Sequence, residues 1–70
     1  MNASSNVARE YARRYQAGRQ MTKTSIAKDL IPYGHSNEFI RQVILTVFGE
    51  YWENRSINRV RKLLENNSAP

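Results

Sequence analysis

The chain has no cysteine, one histidine, two prolines and three glycines in 70 residues. Without cysteine there is no disulfide framework and no thiolate metal site, and the cytoplasm is the expected compartment. The lone histidine, His35, has no paired carboxylate nearby in sequence. It fits a turn residue or a phosphate contact better than a general base. No apolar run approaches the roughly 18 residues of a membrane span. Residues Met1–Asn6 have neither a charged nor an apolar stretch of the kind that makes a secretion signal.

Catalytic constellations are missing as well. No glycine-rich phosphate loop occurs, and no serine or threonine has a recognisable base beside it. Asp29, Glu38, Glu50 and Glu53 have neither dyad nor metal-site spacing. The expectation is a non-enzymatic protein with no cofactor, no metal and no small-molecule substrate.

Acidic residues are the other scarcity. Six Asp and Glu face 11 Lys and Arg, for a formal charge of +5 and a pI near 10.1. A basic domain of this size suits a polyanionic partner. Seventy residues make one domain and bury only a modest core, so a homodimer is expected.

What the chain does have is helical periodicity, with no strand-like alternation. The expected fold is all-α, a compact bundle of three to four short helices with an ordered core over about residues 5–65. Helix 1 should run from about Asn6 to Ala17, capped by Ser5 or Asn6 and ended by Gly18. Val7, Tyr11 and Tyr15 form its apolar stripe. Helix 2 should begin after Thr22 or Thr24 and reach Leu30, with Ile26, Ala27, Leu30 and Ile31 on one face. Pro32 disfavours a helical Ile31 and should stop the segment, leaving Pro32-Tyr33-Gly34-His35 as a turn.

Helix 3 is the clearest element. Ser36 is its N-cap, and Phe39, Ile40, Val43, Ile44, Val47, Phe48 and Tyr51 make it the central core helix. A break is expected near Asn54-Arg55-Ser56, because the stripe of helix 3 and that of helix 4 (Ile57, Val60, Leu63, Leu64) diverge by more than about 90° on one straight rod. Tyr11, Tyr15 and Tyr51 fall on apolar stripes and read as core, whereas Tyr33 and Trp52 are candidates for exposure; for Trp52, off the main stripe of helix 3, the alternatives are packing under helix 4 or a dimer contact. Met1–Ser4 and Asn66–Pro70 are polar and small and should fray.

Charge is segregated along the chain. Arg9, Arg13, Arg14, Arg19, Lys23 and Lys28 stand against Glu10 alone in the first 28 residues. The middle is acidic, and Arg55, Arg59, Arg61 and Lys62 make the end basic again. These ten flanking cations are the expected phosphate contacts.

Thr24-Ser25-Ile26-Ala27-Lys28-Asp29-Leu30 resembles the first helix of a helix-turn-helix. Gly34 is similar to its turn glycine, and Ser36-Asn37-Glu38-Phe39-Ile40-Arg41-Gln42-Val43 to its recognition helix. The likeness covers about Lys23–Ile44 and is in the style of small phage, plasmid or mobile-element regulators. Its Ile31–His35 connection, with Pro32, is longer than is usual in that family. The resemblance implies double-stranded DNA as the partner and a major-groove role for Asn37, Glu38, Arg41 and Gln42. Arg41 would take guanine, Gln42 or Asn37 adenine, and Glu38 a cytosine amino group. The implied role is a dimeric transcriptional regulator, or an accessory factor in recombination or replication. Two other readings fit the composition. One is a small inhibitor or adaptor that grips an acidic protein; the other is a structured-RNA binder.

Overall fold

A computed structural model of the chain describes the backbone of residues 3–68 and the side chains of residues 6–66. Four α-helices follow in order: α1 (Ala3–Gln16), α2 (Lys23–Leu30), α3 (Asn37–Phe48) and α4 (Asn54–Ser68). A 3-10 turn, Ile31–Tyr33, follows α2 directly. No strand occurs among the described residues, and the expected all-α globule is what forms.

Local chemistry explains the helix starts. Thr22 caps α2 reciprocally with Ser25: each hydroxyl oxygen accepts the other residue's backbone N–H at 3.0 Å. This meets two amide donors that the first turn leaves open. Ser36 caps α3 by accepting from the Phe39 N–H at 3.2 Å. α1 begins at Ala3, earlier than the expected Asn6, and α4 continues through Ser68. Strong helix propensity at Ala3 favours the earlier start. The side chain of Ser5, proposed as a cap, lies outside the described residues, as do Met1, Asn2, Ala69 and Pro70.

Two turns differ from expectation for identifiable reasons. Ile31 keeps right-handed helical angles (φ −58°, ψ −45°) despite the following proline. The chain tightens into the 3-10 turn there, with Pro32 at a first-turn position where its missing N–H costs nothing. Gly34, at φ 85°, then ends the turn. The second difference is the boundary between α3 and α4. The break exists but falls at Gly49–Glu53, before Asn54-Arg55-Ser56, which are helical. Gly49 takes a left-handed conformation (φ 73°), and its N–H returns to the Leu45 carbonyl at 2.8 Å. A side chain is strained in that conformation, so glycine sets the helix end.

The core is aliphatic. Ala8, Ile26, Ala27, Leu30, Ile40, Val43, Ile44, Ile57 and Val60 form one buried cluster drawn from all four helices. α1 packs chiefly along α3, and α4 packs against α2 and α3. The tyrosines stay at the margin because each hydroxyl needs a polar partner or water. Tyr15 is 44% exposed and packs edge-on against Phe48, with ring centroids 5.2 Å apart. Tyr51 is 66% exposed, because it lies past Gly49 and off α3. Tyr11 is half-buried against the core. Of the alternatives for Trp52, full exposure does not hold: it is part-buried and packs on the core. Tyr33 is open, at 81% exposure.

Candidate nucleic-acid interface

The outer face of α3 is built by elimination. Ile40, Val43 and Ile44 point into the core, so at about 100° per residue Glu38, Gln42 and Thr46 point out. All three are exposed. Gln42 donates to Glu38 at 3.0 Å, and the Thr46 hydroxyl donates back to the Gln42 carbonyl at 3.0 Å. Arg41 sits at the edge of this face with its side chain 29% exposed. Its guanidinium lies 3.6 Å from Glu38 and 5.6 Å from the centre of the Tyr51 ring. The Nε of Arg41 is buried without a hydrogen-bond partner among the described residues. The side chain is therefore held by packing and charge, with part of its donor capacity unmet.

Asn37 turns the other way. Its amide nitrogen donates to Asn58 Oδ1 at 2.9 Å, and its oxygen accepts from Arg61 Nε at 2.8 Å. Arg61 also donates to the His35 carbonyl at 2.7 Å. These bonds tie the start of α3 to the middle of α4. Of the four residues at the start of α3 proposed to meet bases, Glu38, Arg41 and Gln42 share one open edge, while Asn37 is engaged internally. His35 itself stacks flat on Phe39, with centroids 4.0 Å apart.

The helix α4 carries a second set of cations. Ile57, Val60 and Leu64 pack inward. Arg55, Arg59 and Lys62 recur at spacings of four and three, so they share an arc of about 60° on the opposite side. All three are exposed. Arg55 approaches Glu53 at 4.0 Å. Arg59 and Lys62 have no ion-pair partner among the described residues. Asn58 is a surface neighbour of Arg55 and Lys62 along the helix. The Asn37–Asn58 bond therefore ties the start of α3 to the flank of α4 that borders this stripe. Sequence inspection does not single out Asn58, since an amide on a polar face carries no distinctive signal, and it reads Tyr51 as core rather than as a ring beside Arg41.

The remaining cations are differently engaged. Arg13 and Arg14 both reach Glu10, at 2.6 and 3.4 Å. The hydrogen bond from Arg13 holds the Glu10 carboxyl below its ordinary pKa, against a small opposing desolvation. Lys23 pairs with Glu50 at 2.6 Å and lowers that carboxyl's pKa in the same way. Arg9, Arg19 and Lys28 are exposed and unpaired among the described residues. Arg14, Lys28 and Tyr33 border one depression between α1 and α2. Burial and a hydrogen bond to Asp29 at 3.3 Å raise the pKa of Tyr11 on its wall. The ten proposed phosphate contacts thus separate into an α4 stripe, an α1–α2 group, and two residues, Lys23 and Arg61, held in internal bonds.

No group of three or more metal-ligating side chains is assembled among the described residues, and no described helix is long and apolar enough to cross a membrane. No protein-family model, curated protein or solved structure matches the chain.

Proposed function

We propose that this chain is a non-enzymatic DNA-binding domain of helix-turn-helix type, in which α3 presents Arg41, Gln42 and Glu38 to base edges. The observation that carries the reading is the bond from Asn37 to Asn58. It ties the start of α3 to the flank of α4 that borders Arg55, Arg59 and Lys62, which supports a backbone-binding rail on α4 working with a polar reading edge on α3. Glu38 is compatible with the rail because Arg41 and Gln42 both contact its carboxylate. Asn37 is removed from the base-reading set and becomes a positioning residue. We propose action as a homodimer, for transcriptional control or as an accessory factor in recombination or replication. Support for the dimer is the small core of a 70-residue chain and Leu63, 48% exposed on α4.

Sedimentation velocity with and without a random duplex tests both parts. The expected result is co-sedimentation at low salt that is lost as salt rises, with a free protein of dimer mass. Failure to co-sediment at low salt would overturn the DNA reading. A clear preference for hairpin RNA, or for one acidic protein, would replace it.

A further inference from the structure

The depression between α1 and α2 is separate from the α3–α4 edge. α2 and α3 pack through Ile26, Ala27 and Leu30 against Ile40, Val43 and Ile44, so their exposed faces point away from one another. The depression measures about 570 Å³ and is bordered by Tyr11, Arg14, Lys28, Asp29, Pro32 and Tyr33. Its chemistry is a pair of cations beside an open aromatic ring. Lys28 is exposed on α2. Arg14 lies 5.6 Å from the Tyr11 ring centre, which orients its guanidinium at the rim. Tyr33 is the most exposed of the large hydrophobic side chains, at 81%. Its nearest ring, that of His35, is 6.4 Å away and tilted, so a face of Tyr33 is open to a flat ligand. Arg13 and Arg19 continue the basic surface along α1 in an adjoining hollow. Glu10 beside it pairs with Arg13 and Arg14, while Asp29 accepts from the neutral Tyr11 hydroxyl and keeps its charge on the α2 wall.

Cations alone would suit any polyanion. The open tyrosine narrows the choice. In a duplex every base face is already stacked, so an exposed ring gains nothing there. An unpaired strand offers base faces to the ring and phosphates to the cations together.

We propose that the α1–α2 face binds single-stranded nucleic acid, with Tyr33 stacking on a base and Lys28, which has no ion pair among the described residues, contacting a flanking phosphate. The proposal rests on the reading of the chain as a nucleic-acid-binding domain. It adds a second, structurally distinct site for unpaired strands. The domain would then hold duplex on one side and single strand on the other, as at a melted site or a strand junction.

The test measures the affinity of the full chain for a labelled oligothymidylate and for a random duplex, side by side. Tyr33→Ala should weaken oligothymidylate binding about 5- to 150-fold, the range for loss of one stacked base. Tyr33→Phe should retain it, and both variants should bind duplex like the parent. Lys28→Ala should weaken oligothymidylate binding and make its loss with rising salt shallower than in the parent. Oligothymidylate binding that ignores Tyr33→Ala would overturn the proposal, as would a parallel fall in duplex binding. A chain that binds oligothymidylate through Tyr33 yet ignores duplex supports this site and overturns the α3–α4 reading alone.

Discussion

The exposed faces of α1 and α4 both carry cations, yet the fold treats them differently. On α1, Arg13 and Arg14 converge on Glu10. On α4, Arg59 and Lys62 meet no carboxylate among the described residues. A phosphate approaching α1 competes with an existing ion pair; a phosphate approaching α4 displaces only water and counterions. Counting charge along a chain cannot separate these cases. Their difference lies in which side chains share a surface, and under the proposed DNA-binding role it gives α4 the larger share of duplex binding.

The severest way to break the comparison is to remove the core that holds both faces in place. Ile44 is fully buried among residues from all four helices. Ile44→Ala should cost about 2–5 kcal/mol. A core of this size rarely supplies more than about 3–5 kcal/mol. Far-UV circular dichroism should therefore show a largely unfolded chain at room temperature. A cooperative melt close to that of the parent would mean that the core is not where the stability resides.

A smaller change separates the rail from the reading edge. Asn37→Ala leaves the part-buried Arg61 without its side-chain acceptor and Asn58 without its donor. The expected cost is about 1–3 kcal/mol, a fall in Tm of several degrees for about 1 kcal/mol in a domain this small. Duplex affinity should fall as well, although Asn37 touches no base. An unchanged melt would remove Asn37 from its positioning role.

The mildest probe uses pH. The Glu50 carboxyl is held below its ordinary pKa by Lys23, so the pair contributes stability above the carboxyl's unfolded pKa. That contribution disappears as pH falls through the lower folded value. Thermal melts from about pH 5 downward should decline less steeply in Glu50→Gln than in the parent. Both groups face solvent in part, so the effect is small. Identical pH profiles would show that the link between the start of α2 and the connection before α4 adds nothing.

Much of the fold was legible because its cues are local. Thr22 and Ser36 cap as their chemistry implies, Gly18 and Gly34 mark ends, and the Ile40, Val43, Ile44 spacing identifies α3 as central. The errors arise where tertiary context competes. Tyr51 continues the α3 stripe on paper, but Gly49 ends the helix before reaching it. Pro32 biases Ile31 away from helical angles, and a tightened turn accommodates both. Trp52 leaves the α3 stripe, so the pattern alone does not choose between exposure and packing, and the fold lays it on the core.

The candidate interface was less legible. Three of the four base-reading candidates stand on one open edge, a consequence of periodicity alone. The diversion of Asn37 and Arg61 into the α3–α4 joint depends on how two helices meet, and no single-helix pattern encodes that. Ion pairs within a helix, such as Glu10 with Arg13, were within reach of spacing rules. The pairing of Lys23 with Glu50, distant in sequence, was not.

The most direct measurement compares salt dependence of duplex affinity for two double variants, Arg59→Ala with Lys62→Ala and Arg13→Ala with Arg14→Ala. Loss of each phosphate contact should flatten the slope by about 1. Loss of the α4 pair is expected to flatten it by about 2, and loss of the α1 pair by clearly less. Equal slopes in the two variants, or a slope unmoved by the α4 change, would contradict the account.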